Sequence, residues 1–155
     1  MIRRANLADL ENISKLCITS ATAAHWPIEV YASVLRGEGP VRLCLVAQDA
    51  AGILTGVLVA LCQTEEWELE NIVVAHDQQR KGIGREMMCR FIAEAMAHHA
   101  SAILLEVRAS NSAAQRFYQS CGFKIAATRK SYYSNPLEDA LVMTRKFGKS
   151  ALEIS

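Results

Sequence analysis

The sequence lacks an excess of either charge, long apolar runs, paired cysteines and clustered metal ligands, and each shortage closes off a class of protein. Its 17 Lys and Arg stand against 16 Asp and Glu, a formal net charge of +1. There is no broad positive field of the kind that draws in a phosphate backbone or an anionic bilayer. Neither nucleic acid nor a membrane is expected as a partner. No apolar run approaches the roughly 20 residues that cross a bilayer. Met1-Ile2-Arg3-Arg4 leads into polar sequence and not into a signal-peptide core, so a cytoplasmic protein is expected. The five cysteines (Cys17, Cys44, Cys62, Cys89, Cys121) are odd in number, spread out and without a C-x-x-C pair, a pattern of reduced, mostly buried thiols. His98 and His99 are adjacent on an expected helix and point apart, so no metal site is expected.

What is present is apolar material, 51% of 155 residues, enough for one core. No repeat, low-complexity stretch or long linker interrupts it. The expected organisation is a single domain over residues 1–147, with residues 148–155 as a tail that frays. Leu10, Ile13, Leu16 and Cys17 recur at helical spacing after Asn6, a suitable cap, which predicts a helix over 7–20. Ile28, Tyr31, Val34 and Leu35 predict a second helix after Pro27, ended by Gly37 and Gly39. Strand-like runs follow at 41–47, 53–62 and 67–74. The period then changes to 3.6, because Ile83, Met87, Phe91, Ile92 and Ala95 form one stripe of a long helix. A strand at 102–107, a helix at 111–120 stopped by Gly122, and strands at 123–128 and 139–145 complete the chain. This order implies a mixed α/β sheet with helices on both faces.

The most informative local segment is Gln79-Arg80-Lys81-Gly82-Ile83-Gly84-Arg85, at the hand-over from strand to long helix. Gly82 and Gly84 permit a tight turn and close approach of a ligand, and the first N–H groups of the helix then face outward. Arg80, Lys81 and Arg85 add charge for phosphate oxygens. The bland alternative is a solvated cationic helix start. The spacing is neither that of a Walker loop nor that of a dinucleotide fingerprint.

Gln79-Arg80-Lys81-Gly82-Ile83-Gly84 resembles the acetyl-CoA loop, Q/R-x-x-G-x-G/A, of GNAT-type N-acetyltransferases, and the element order matches theirs. Leu105-Glu106-Val107-Arg108-Ala109-Ser110-Asn111, Ala113-Ala114, Phe117-Tyr118, Gly122-Phe123, the 129–133 segment and Glu138-Asp139-Ala140 resemble the ribosomal-protein-alanine N-acetyltransferase branch. The likeness is strong from Trp67 to Met143. It implies a mostly antiparallel sheet of about seven strands and acetyl-CoA as acetyl donor. It further implies that Ile72, Val73 and Val74 pair with the pantetheine arm and that Arg80, Lys81, Gly82, Ile83, Gly84 and Arg85 hold the pyrophosphate. Asn111 would lie near the thioester, Glu106 would be the general base and Tyr118 the general acid. The acceptor implied is a protein or peptide N-terminus, a ribosomal protein among them, attacked directly in a ternary complex.

The chemistry suits those residue types. A chain N-terminus has a pKa of about 8, so a modest base suffices; a phenol can protonate a leaving thiolate; and strand-edge N–H groups can stabilise an oxyanion without a metal. Glu106 also has an ordinary reading, as a strand carboxylate sharing a face with Leu104 and Arg108 and pairing with a neighbour. Tyr118 has one as a core aromatic with a wet hydroxyl. Glu68 and Glu70, placed by alternation on one face with Ile72, could share the base role. Glu70 stands where that branch carries an apolar or aromatic residue, and it would favour a basic residue near the acceptor's amino end. Tyr132 and Tyr133 are candidates for a wall around the acceptor, with Trp26 and Tyr31 weaker ones. Two other readings remain open, a GNAT enzyme acting on a small-molecule amine and a non-catalytic acyl-CoA-binding module.

Overall fold

The computed structural model describes residues 1–20 and 23–148. Its elements are β1 (Ile2–Arg4), α1 (Leu10–Ile18), α2 (Ile28–Leu35), β2 (Arg42–Gln48), β3 (Leu54–Cys62), β4 (Glu66–Val74), α3 (Ile83–Ala97), β5 (Ala102–Arg108), α4 (Ser112–Ser120), β6 (Lys124–Tyr133) and β7 (Glu138–Lys146). From α1 onward the order is the one the hydrophobic periods predict. The strands form one seven-stranded sheet, β1-β2-β3-β4-β5-β7-β6, antiparallel except where β5 runs parallel to β4 after the α3 crossover. Among the described residues no helix is long and apolar enough to cross a membrane. Of the expected tail, residues 149–155 lie outside the described residues.

Two cores sandwich the sheet. Leu43, Leu45, Leu58, Ala60, Ile103, Leu105 and Val107 pack on one face with Met87, Phe91 and Ala95 of α3, and Ala114, Phe117 and Tyr118 of α4 join them. The alternate residues Cys44, Val46, Val57, Val59 and Val73 pack on the other face with Ile13 and Cys17 of α1 and Tyr31 of α2. Helices thus cover both faces. The α3 contact is close: a Cβ on Gly56 would lie 2.7 Å from Met87 Cε and 3.1 Å from the Val73 carbonyl oxygen, so a larger residue there would force Met87 to move. Cys17, Cys44 and Cys121 are buried and Cys62 is half-buried, but Cys89 is exposed on α3.

Simple periodicity breaks at three places. The first helix opens as a 3₁₀ turn, Leu7–Asp9, with a reciprocal cap: Asn6 Oδ1 accepts from the Ala8 amide, and Asp9 Oδ2 accepts from the Asn6 amide. Strand β4 carries a bulge, because Val59 pairs with Asn71 while Ala60 pairs with Leu69, leaving Glu70 as the extra residue. Strand β6 does not end at Thr128; it runs to Tyr133 through irregular pairings after Ile125 and after Arg129.

Candidate functional site

The sheet opens where β4 meets β5. Their pairing is confined to Glu66↔Ala102, Trp67↔Ile103 and Glu68↔Leu104, although β4 keeps β3 as neighbour out to Val74↔Gly56. From Leu69 onward, the β5-facing edge of β4 carries no strand. The backbone of Ile72, Val73 and Val74 therefore borders a wedge between two strands, the place where an extended ligand can pair with main chain.

The mouth of that wedge is the glycine turn. Arg80 has φ +63° and Gly82 φ +85°; left-handed backbone at a non-glycine residue such as Arg80 is strained, and strain of this kind clusters at ligand sites. Gly82 caps α3 without a side-chain hydrogen bond, and the first helical bond is Glu86 N–H to the Gly82 carbonyl, 3.0 Å. The amides of Ile83, Gly84 and Arg85 are left as the free first-turn donors. A Cβ on Gly82 would meet nothing within 4 Å, so the space above these donors is open. Among the described residues Lys81 reaches Gln78, at 3.4 Å. Arg85 is turned aside: its Nη2 donates to Ser120 Oγ at 2.7 Å, so its amide is the group it offers to the turn.

The acidic side chains gather on the face that carries α1 and α2. Ile103, Leu105 and Val107 point into the α3 core, so alternation turns Glu106 the other way. Trp67 and Leu69 do the same for Glu68. The bulge corrects the reading of β4. Glu70 reaches Arg42 on this face, with Arg42 Nε 3.2 Å from both its carboxylate oxygens, but Ile72 and Val74 pack with the α3 core. Glu68 and Glu70 therefore do not share a face with Ile72. Glu68 is half-buried, and its carboxyl is pushed up from the usual range by burial, then by the Glu106 and Glu70 carboxylates.

Glu106 lies opposite Val142 of β7, its side chain 19% exposed and its Oε1 3.3 Å from Arg129 Nε. The Tyr132 phenol is held up by its hydrogen bond with Glu106 and then by partial burial. Tyr132 packs edge-on to Tyr133, with ring centroids 5.1 Å apart, and Arg108 lies 4.3 Å over the Tyr133 ring. Arg108 Nη1 is 3.3 Å from Glu138, whose other oxygen accepts from the Ser110 amide at 2.6 Å. Tyr132 and Tyr133 thus join Glu106 on one wall. Arg108, which the sequence places on the Glu106 face, and Arg129 have no site role in the sequence reading, although this wall needs both. Arg42 and Arg129 come from distant strands and leave no local signal.

Tyr118 stands on the other side. Its ring packs against Phe117 and Phe123, at 5.4 and 6.1 Å, within the α3-side core. Burial foremost, then Cys121 and Tyr133, raises its phenol to about 12. Asn111 caps α4, its Oδ1 accepting from the Ala114 amide at 3.1 Å, which leaves its amide nitrogen for another partner. The arrangement is a wedge-shaped passage through a sheet, with an anion-binding turn at one end, carboxylates on one side and a protonated phenol on the other.

Residues 7–123 match the family described as Acetyltransferase (GNAT) family. A ribosomal protein bS18-alanine N-acetyltransferase from Salmonella typhimurium is 36% identical over 148 residues, 86% of this chain and 96% of that one. The crystal structure of a ribosomal-protein-alanine N-acetyltransferase from Escherichia coli superposes with a TM-score of 0.84 at 28% identity, covering 97% of this chain and 96% of that one. A putative acetyltransferase from Salmonella typhimurium, solved with its cofactor acetyl-CoA, shares the fold with a TM-score of 0.81 at 20% identity, covering 97% of this chain and 95% of that chain.

Proposed function

The chain belongs to the acetyltransferase (GNAT) family and is an N-acetyltransferase, and from that premise we propose that it acetylates the α-amine at the start of a protein chain, ribosomal-protein-alanine type, with acetyl-CoA as donor. The observation that carries the reading is the parting of β4 from β5 beyond Glu68↔Leu104, with Glu106 on the open side of the gap. The residues fit the donor. Ile72, Val73 and Val74 offer main chain along the wedge; Gly82 and the amides of Ile83, Gly84 and Arg85, with the side chains of Arg80 and Lys81, form the anion cradle; and Asn111 stands at the start of α4. Acetyl-CoA, when bound, supplies an activated acetyl thioester.

Each remaining step belongs to the chain. Glu106 accepts the proton of the incoming ammonium, whose pKa of about 8 lies close enough to neutrality for a carboxylate to suffice. Glu68 and Glu70 line the acceptor side and favour a positive charge near the amine. Tyr132 and Tyr133 form the wall against which an extended peptide lies. Tyr118, with its phenol near 12, keeps its proton at neutral pH. An ordinary thiol has a pKa of about 8.5, so Tyr118 Oη acts by donating a hydrogen bond toward a departing sulfur more than by complete transfer. The thiols support direct attack. Burial raises Cys17, Cys44, Cys62 and Cys121, which leaves them poor nucleophiles, and Cys89 lies on α3, across the sheet from Glu106.

The test is mass spectrometry of peptide pools beginning with Ala, Ser or Met, incubated with acetyl-CoA alongside spermidine and free amino acids. Acetylation confined to peptide α-amines is expected. Acetylation of the free amines alone would overturn the acceptor assigned here.

A further inference from the structure

Asn71 is 5% exposed, lies on β4 between Glu70 and the apolar run Ile72–Val74, and every polar atom of its amide is engaged. Oδ1 accepts from the Ala24 amide at 3.2 Å. Nδ2 donates to Tyr31 Oη at 3.0 Å and lies 3.8 Å from Cys17 Sγ. Tyr31 Oη in turn donates to the Ala24 carbonyl, 3.3 Å away. One amide therefore joins β4, α1, α2 and the segment between those helices. It owes this position to the bulge. Without Glu70 as an extra residue, Asn71 would share the Leu69 side, in the α3 core; with it, Asn71 turns toward Tyr31. A buried amide costs free energy unless it is bonded; this one is bonded on both sides, which fixes the geometry of the elements it joins.

The place supplies the task. Asn71 lies three residues past Glu68↔Leu104, on the stretch of β4 that borders the wedge, and Glu70 beside it faces the acceptor side. Trp26, half-exposed, follows Ala24 and packs on Tyr31 with ring centroids 5.3 Å apart. We propose that Asn71 is a positioning residue, a clasp that fastens the segment carrying Ala24 and Trp26 against β4 so that the segment forms a fixed second wall of the acceptor cleft, facing the Tyr132 and Tyr133 wall. The inference rests on the peptide-acceptor reading of the site. The clasp's side-chain bonds all run to Ala24, Tyr31 and Cys17, away from the turn at Gly82.

The test compares wild type with Asn71→Ser, which shortens the side chain out of reach of both partners, and Tyr31→Phe, which removes one hydroxyl and keeps the ring. Peptide KM, kcat and the acetyl-CoA Kd are measured for each, with hydrogen exchange of the 23–28 stretch by mass spectrometry. Asn71→Ser is expected to raise peptide KM about tenfold, with kcat and acetyl-CoA Kd within about twofold, and to speed exchange at Ala24. Tyr31→Phe should shift KM in the same direction by less. Faster exchange with unchanged peptide KM would reduce the clasp to ordinary folding glue and overturn the proposal, as would a rise in acetyl-CoA Kd matching the rise in KM. If Asn71→Ser does not fold, Tyr31→Phe decides alone, and an unchanged KM overturns it. A wild-type protein that acetylates no peptide sinks the acceptor reading separately; exchange at Ala24 and KM for the amine it does accept then test the clasp.

Discussion

The two halves of the sheet are built to different rules. Strands β2 and β3 are buried residue after residue, Leu43 to Ala47 and Thr55 to Ala60, because α1 and α2 lie on one face and α3 on the other. Strand β5 alternates: Ile103, Leu105 and Val107 are buried while Leu104, Glu106 and Arg108 are half-exposed. In β7 only Ala140 and Met143 are buried, and every residue of β6 before Tyr133 is exposed. A strand covered on both sides reads as a continuous apolar run, whereas one covered on a single side has polar positions to spare. The carboxylates proposed for the site, Glu68, Glu70 and Glu106, collect on the spare positions, at the seam where the half with two covered faces parts from the half with one. This fold gains its reactive face by leaving α1 and α2 over β2–β4 only.

The sharpest way to break that division is to change a polar residue on the open side without disturbing the core. Glu106→Gln keeps the shape and removes the proposed proton acceptor, so turnover should fall about 10²–10⁴-fold, with acetyl-CoA affinity retained. The loss should shrink as pH rises toward the amine pKa, which a pH series of kcat/KM measures. If neutral-pH turnover is unchanged, the base is elsewhere and Glu68 is next in line. The converse change belongs to the covered half. Leu58, 0% exposed between β2 and β4, should lose about 2–5 kcal/mol of stability as Leu58→Ala, read by urea denaturation, with kcat at low temperature little altered. A large kcat effect there would mean that the two halves are not separable.

How far this division was legible in the sequence depends on the same contrast. The α3 stripe, the glycine turn and the alternating I-L-L-E-V-R run are local patterns, and each placed its element within a residue or two. The bulge at Glu70 is not local. Nothing in Glu-Leu-Glu-Asn-Ile announces an extra residue, and the reset of alternation becomes visible only from pairing with Val59 and Ala60. The same holds for β6, whose second half continues past Thr128 because Ser131, at φ +53°, donates its amide to Asp139 at 2.8 Å. Arg42 and Arg129 found their carboxylates across the sheet, and Asn71 found its partners across two helices. Long-range side-chain pairing carries no periodic signature, so the carboxylates could be picked out while the residues that hold and tune them could not.

A smaller effect sharpens the seam itself. At φ +85° a β-branched side chain is strained whatever the space around it, and it would also project over the first-turn donors. Gly82→Val should weaken acetyl-CoA binding by about tenfold or more, measured by calorimetry, while Leu58→Ala should leave that affinity unchanged once folded. Normal affinity in Gly82→Val would remove the turn from the donor site.

The smallest expected effect compares one carboxylate from each half. Asp9, in the covered half, is held below the usual carboxylate range by its hydrogen bonds from Arg3, at 2.9 Å to each oxygen. A lowered folded pKa means stability that is present above the unfolded value and lost as pH falls through the folded one. Asp9→Asn should therefore destabilise at neutral pH, with the gap closing in acid. Glu68, at the seam, has the opposite shift: burial and then two neighbouring carboxylates raise it from 4.5. Its contribution is fully present below the unfolded pKa and lost as pH rises through the folded one, so at neutral pH the charge is a liability. Glu68→Gln should raise Tm at pH 7.5 by about 1–2 °C, and the gain should vanish below about pH 4.5. A Glu68→Gln protein that is less stable at neutral pH would mean that Glu68 is compensated by a cation as Asp9 is; the electrostatic contrast between the two halves would then fail at the point where the cleft begins.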